Sequence, residues 1–305
     1  MSYQIIDLNN LTLPKIIDEL DFETLLNNRK TAFIDRFETE KEKAFWQNRL
    51  QFESEPVVKL LEENTYLELL LRTHINEKAK AVMLAFASGS DLDHLGALLG
   101  VERLLLVAED LTQNPPISAE YESDDRFRTR IQMSLESITT AGSRGSYEYH
   151  ALTASAKIKD VDIASPEPGV VQVTLLSNDD RGIAEADLID TVKNALNAEK
   201  VRPLTDTVKV QSAHIVEYQI NAVITLYPSV LESVVFANVQ SAVKKYVEKQ
   251  HALGFDITLS GIYAALHQEG VQNVVLNSPS KNIDIAHYQA AFCTDIQVTL
   301  GGRDE

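Results

Sequence analysis

Few residues of this chain have the types and spacing that chemistry needs, and each such group has a plainer explanation beside it. Asp91, Asp93 and His94 lie close together, with His74 upstream on a long helical run, so carboxylate and imidazole ligands for a metal are conceivable. Asp91 and Asp93 do not share a helical face, however, and acids near a helix N-terminus are already explained by capping and the helix dipole. The segment SYEYH, residues 146–150, sets Tyr147 and Tyr149 beside His150 as acid–base groups, but a capped helix of aromatic contacts after a glycine-rich turn accounts for it better. GSRGS at 142–146 resembles a phosphate cradle only loosely. It lacks the preceding buried strand and the Lys-Ser or Lys-Thr that make such a loop specific, and Arg144 is read as the partner of an acid.

Asp179 and Asp180 in SNDDRG could form a general acid and base pair, yet they read as a solvated turn with acids favoured at a helix start. Cys293 has no motif beside it and reads as a small buried hydrophobe. Lys193, Lys200, Arg202, Lys244, Lys245 and Lys249 are dispersed on helix faces without an aromatic platform, so a nucleic-acid surface is unsupported. The expectation is a chain that is not an enzyme, with no catalytic residue, no metal and no cofactor.

Composition points the same way. The 45 acidic and 28 basic residues give 28 − 45 = −17, which disfavours nucleic acid or an anionic membrane as a partner of the whole surface. One cysteine among 305 residues allows no intrachain disulfide, as fits assembly in a reducing cytoplasm. The N-terminus MSYQIIDLNNLTLPKII has neither a basic n-region nor an apolar h-region, and no run of 18 apolar residues occurs, so neither export nor membrane insertion is expected.

The elements that position all this begin with an extended arm, Met1 to Pro14, which docks on the chain itself or on a neighbour. An amphipathic helix follows at 21–38, and ETEKEKAFWQNRLQF continues helically, with Phe45 and Trp46 read as ordinary packing rather than a hot spot. The most informative stretch is 55–103. Ser54 is a plausible N-cap and Pro56 suits a first turn, and the pattern predicts one helix over 56–87, about 48 Å long. Its apolar residues Leu60, Leu61, Leu67, Leu70, Leu71, Ile75, Val82 and Phe86 make a stripe too wide for one partner, so they are the candidate partner interface of a helix bundle. A short helix follows, capped by Ser90 with Asp93 at its third position and terminated by Gly100, with Val101 folding back.

Residues 111–127 have the composition of a connector, and short helices are expected near 125–138 and 146–156. From 157 the period becomes two. A hairpin turning at Pro166 to Gly169, a helix at 184–198 and a strand at 206–212 form one round. A second round has a long strand from His214, a helix over LESVVFANVQSAVKKYVEKQ, a shorter helix capped by Ser260 and ended by Gly270, and strands VQNVVLNSP and CTDIQVTL. The fold class is therefore α+β: an N-terminal long-helix bundle region followed by two small modules with open mixed or antiparallel sheets. The expected divisions are 1–55 (arm and helices), 56–115 (long helix and capped short helix), 116–156 (connector), 157–213 (first module) and 214–305 (second module).

Four pieces, LEENTYLELLLRTHINEKAKAVMLAFASGSDLDHLGALLGVERL at 61–104, DDRFRTRI at 124–131, TAGSRGSYEYHALTA at 140–154 and the pattern PGVVQVTLL, helix, VRPLTDTVKV, resemble the baseplate J-like family. These are wedge components of contractile phage tail baseplates and related contractile particles. The resemblance implies a structural subunit of the virion tail baseplate, or of an equivalent particle, assembled in the host bacterial cytoplasm. It implies N-terminal helices bundled with a second copy of the chain and a smaller I-like wedge protein, at two copies per wedge and six wedges. It further implies C-terminal modules that link neighbouring wedges into a ring, near a sheath-adjacent or LysM-like baseplate protein and the central hub. The alternatives are a soluble enzyme with a scattered active site, or a transient assembly scaffold.

Overall fold

A computed structural model describes residues 6–8, 11–12, 14, 21–139, 142–179 and 181–304. Most of the Met1 to Pro14 arm, Thr140, Ala141 and Asp180 lie outside them. The chain divides into two compact units, Ile6–Leu98 and a second made chiefly of Leu99–Glu305.

The first unit is helical. α1 (Phe22–Ile34) is capped by Asp21, whose carboxylate accepts from the Thr24 N–H at 2.8 Å. It stops at Ile34 rather than running to 38, and Thr39 then opens α2 (Glu40–Arg49) with a reciprocal capping box to Glu42. Trp46 packs on Phe33 and Phe37, with ring centroids 5.2 and 5.8 Å away, and so joins α2 to the end of α1. Its neighbour Phe45 is exposed.

α3 (Pro56–Ala81) carries proline at its first turn as expected, but Glu55 and not Ser54 is its N-cap residue, without a side-chain cap bond. It also ends at Ala81 and not at 87. Consecutive tight turns follow, with Met83 N–H on the Lys80 carbonyl and Ala87 N–H on that of Met83. The run VMLAFA explains the break: six adjacent apolar residues cannot share one helical face, and turns leave Met83, Leu84, Ala85 and Phe86 half-buried with Ala87 buried. α4 (Gly89–Leu98) begins one residue before the expected cap Ser90, and Gly100 has the left-handed φ of 70° that a terminator needs.

In the second unit the expected connector is partly ordered as a small antiparallel pair, β1 (Leu105–Val107) with β2 (Glu120–Tyr121). α5 (Asp124–Met133) follows, capped by Ser123, then a 3-10 turn over Ser134–Ile138, where one helix to 138 was expected. α6 (Arg144–Ala154) is capped by Ser143.

The first sheet has the order β3-β4-β5. β3 (Ile158–Ala164) and β4 (Val170–Ser177) form the expected hairpin, and β5 (Thr207–Ser212) lies parallel to β4 after the crossover helix α7 (Ala186–Leu196). Leu188, Val192 and Leu196, four residues apart on α7, are buried in one core with Tyr147 and Leu152 of α6 and Ile158, Val173 and Leu175 of the sheet. The second sheet has the order β7-β6-β8. Its central strand β6 (His214–Leu226) is antiparallel to β7 (Val271–Ser278) and parallel to β8 (Gln289–Arg303).

Alternate residues of β6, from Tyr218 to Leu226, are buried under α8 (Glu232–Gln250) and α9 (Leu259–Leu266). Thr258, not Ser260, caps α9, since its hydroxyl accepts from the Gly261 N–H. β8 is longer than the expected CTDIQVTL because it follows β6 along its whole length.

The modules meet through a small cluster of Leu176, Ala213, Leu253 and Ala290. Around it the Leu253 N–H donates to Asp160 Oδ2 at 2.9 Å, His287 Nδ1 lies 2.7 Å from Asp162, and Arg181 pairs with Glu217. The architecture is α+β, with helices at the N-terminus and open mixed sheets in the C-terminal half.

Candidate assembly interface

α3 has two apolar faces that differ in what covers them. One packs against α1, where Leu26, Val58 and Thr65 are buried. Glu68 accepts from Arg29 Nη2 at 2.5 Å and from Arg72 Nε at 3.0 Å, and the bond from Arg29 does most to hold its carboxyl below the ordinary range. The other face is bare. Taking about 100° per residue, Leu60, Leu67, Leu71 and Ile75 fall within about 80° of arc. Leu70 and Tyr66 widen that arc to roughly half the helix circumference.

Leu60, Leu67, Leu70, Leu71 and Ile75 are all exposed, at 58%, 56%, 39%, 61% and 59%, and Val82 just beyond the helix is exposed too. Leu61 and Phe86 are half-buried within the chain. At 26 residues, or about 39 Å, the helix presents this surface over several turns. Glu63 and His74 fall within the same arc, so the face mixes exposed leucines and isoleucine with a few polar side chains.

The residues with chemical potential are not brought together. Asp91, Asp93 and His94 are exposed on α4, and His74 is exposed on α3 beside Glu77 at 3.8 Å. Among the described residues no group of three or more histidine, cysteine or acidic side chains is placed to hold a metal. GSRGS is the start of α6: Ser143 Oγ donates to Glu136 Oε2 at 3.2 Å and caps the Ser146 N–H. A carboxylate against this turn repels phosphate. Tyr147 O–H donates to Asp206 Oδ2 at 2.8 Å, and its own burial, reinforced by that carboxylate, pushes the phenol upward and away from acid–base use. His150 is half-buried, and burial lowers its imidazole pKa.

Asp179 lies in the turn after β4, where its carbonyl accepts from the Gly182 N–H, and α7 starts only at Ala186. It is a turn residue and not a helix-start acid, a place taken by Asp187. Cys293 is half-buried in β8 against the second core, and burial raises its thiol pKa.

The densest polar site was not anticipated. Buried Glu122 bridges Arg126 and Arg130, both on α5, and also accepts from the Leu104 N–H at 2.9 Å. Arg126 further donates to the carbonyls of Leu152, Ser155 and Ile158, and Arg130 to that of Glu102. These bonds tie the β1–β2 segment to α5, α6 and β3. The four-residue spacing of Glu122, Arg126 and Arg130 was its signal in the sequence.

Three family models match in sequence order: the Baseplate J-like N-terminal domain over residues 53–110, the Baseplate J-like central domain over 139–212, and the Baseplate J-like protein C-terminal domain over 218–299. The chain is also 47% identical over 301 residues to "Baseplate protein J" of Escherichia phage P2, covering 99% of each chain. With a bare helical face, open sheets and matches along nearly its whole length, the chain belongs to the baseplate J-like family of phage tail baseplate proteins, structural components of virion assembly.

Proposed function

We propose that the chain is a wedge subunit of a contractile tail baseplate, and that its N-terminal helices bundle with a second copy and with a smaller I-like wedge protein. The observation that carries this reading is the bare face of α3, where Leu60, Leu67, Leu70, Leu71 and Ile75 stand in solvent on a helix already packed on its other side. Removing roughly 25 cal/mol per Å2 of such surface from water is the driving force for a bundle. No catalytic step is assigned to the chain.

The two C-terminal modules are read as the contacts between wedges that close the ring, with the sheath-adjacent or LysM-like baseplate protein and the central hub as further neighbours. Support comes from their open sheets. β3 and β5, and β7 and β8, are outer strands with no further strand beside them among the described residues, and such edges and faces are natural docking surfaces.

Co-expression with the smaller wedge protein tests the bundle. The intact chain is expected to co-purify with it, and Leu67→Asp to abolish capture while leaving the chain folded. Capture of that variant at normal yield removes the assignment. A chain ending at Ala213 tests the ring contacts: it should bind the wedge partner and fail to close rings by negative-stain microscopy.

A further inference from the structure

The second module rests on two alternate carboxylates of β3. Asp160 Oδ2 accepts from the Leu253 N–H at 2.9 Å, and Asp162 Oδ2 lies 2.7 Å from His287 Nδ1, so both contacts cross from the first module to the second. The strand's period of two sets these acids on one face, while Val161 and Ile163 are buried in the first core. Asp160 spends its other oxygen on the Val161 N–H, again at 2.9 Å. Two accepted N–H bonds suit a carboxylate and not a protonated acid.

A third carboxylate stands against this pair. Glu148 is half-buried on α6, the helix that packs on β3. Burial, reinforced by the charges of Asp160 and Asp162 and opposed by Arg144, raises its carboxyl to about 7. It has no room to retreat, because Tyr147, Tyr149 and Leu152 fix α6 in the first core. The other charged groups at the joint are engaged elsewhere. Arg181 pairs with Glu217, Glu248 of α8 acts on Lys159, and His251, whose imidazole burial lowers, spends Nδ1 on the Ala291 carbonyl. That leaves His287 to face Asp162, in a contact that is an ion pair only while the imidazole is protonated.

We propose that the joint between the modules is a proton-operated clasp, closed while Glu148 and His287 hold their protons and loosened when both are lost, with the Leu253 and His287 segments lifting from β3. Loss of the Glu148 proton gathers three negative charges around one strand, and loss of the His287 proton removes the counter-charge, so both act in the same direction. Opening the lateral contact admits water to all three carboxylates, whereas parting α6 from β3 would break the first core, so the joint is what yields. The bound proton of Glu148 favours the closed joint fully below 4.5, and that contribution disappears as pH climbs through about 7. Ala213 keeps the modules connected in either state.

Amide hydrogen exchange of the full-length chain, taken relative to the free-peptide rate at each pH, reads the clasp at the Leu253 N–H. Between about pH 5.5 and about pH 8, its protection should fall at least tenfold more than that of the amides in the β4–β5 and β6–β8 ladders. Glu148→Gln removes the charge that forces the joint open and should shrink this excess loss at least threefold. Arg144→Ala, at an exposed position on α6, removes the opposing cation and should move the midpoint of the step to higher pH. Leu253 protection that follows the ladders across the whole range overturns the clasp, as does a step that either variant leaves unchanged.

Discussion

The carboxylate of Glu122 and the guanidinium of Arg130, eight residues apart in sequence, meet with almost no exposure of either residue, and Arg126 takes the second carboxylate oxygen. Removing one partner strands a buried charge, which costs about 3–5 kcal/mol. Glu122→Ala is therefore expected to lower the unfolding midpoint of the Leu99–Glu305 unit far more than Lys244→Ala, whose ion pair with Glu248 stands in solvent. Calorimetry of the two variants checks this, and equal shifts would show the network to be inert.

Stability should also fall as pH rises toward neutrality because of Glu148. Burial raises its pKa from 4.5 to about 7, Asp160 adding to the effect and Arg144 opposing it. An acid with a raised folded pKa binds its proton more tightly when folded. Its contribution is fully present below 4.5 and is lost as pH climbs through about 7. That contribution is about 3 kcal/mol at most. Denaturation between pH 4.5 and 8 should show the decline, and Glu148→Gln should flatten it.

Gly182 has φ of 96°, and a Cβ there would lie 2.5 Å from Leu176 Cδ1 and 3.1 Å from His251 Nε2. Leu176 is fully buried where the modules meet, so it has little room to retreat. Gly182→Ala combines backbone strain with overpacking and should cost roughly 1–3 kcal/mol. Urea unfolding gives the value, and a loss within error would mean that the joint repacks freely.

On α3, Leu71→Asp should leave the stability of the isolated chain almost unchanged, since Leu71 is 61% exposed, and still abolish capture of the wedge partner. Thr65, wholly buried on the opposite side, provides the contrast. Thr65→Asp is expected to unfold the helical unit, so circular dichroism and co-purification together separate folding from binding.

What the sequence made legible was periodic. Alternation along β6 and the stripe Leu188, Val192, Leu196 identified strands and helix, because each buries one face against a single layer. The stop of α3 at Ala81 was hidden, since VMLAFA contains no breaker and only tertiary burial favours turns there. Pairing of Leu105 with Tyr121 spans a proline-containing segment and leaves no local trace. The Thr39 to Glu42 capping box carries a plain local signature, a threonine three residues before a glutamate at a helix start. The width of the α3 stripe was readable as well, but which half α1 covers depends on contacts such as that of Arg29 with Glu68, 39 residues away.

Between β5 and β6 stands one residue, Ala213, whose N–H is held by the Leu175 carbonyl, while the next N–H, that of His214, is held by the carbonyl of Tyr288, just ahead of β8 in the other sheet. There is no slack at this junction. A load applied to one module is delivered to the other along the strand axis, where it shears many ladder hydrogen bonds at once instead of unzipping them in turn. The pair of modules thus transmits tension and twist as a stiff coupling, and lengthening the junction by a few glycines would turn it into a loose tether without touching either core.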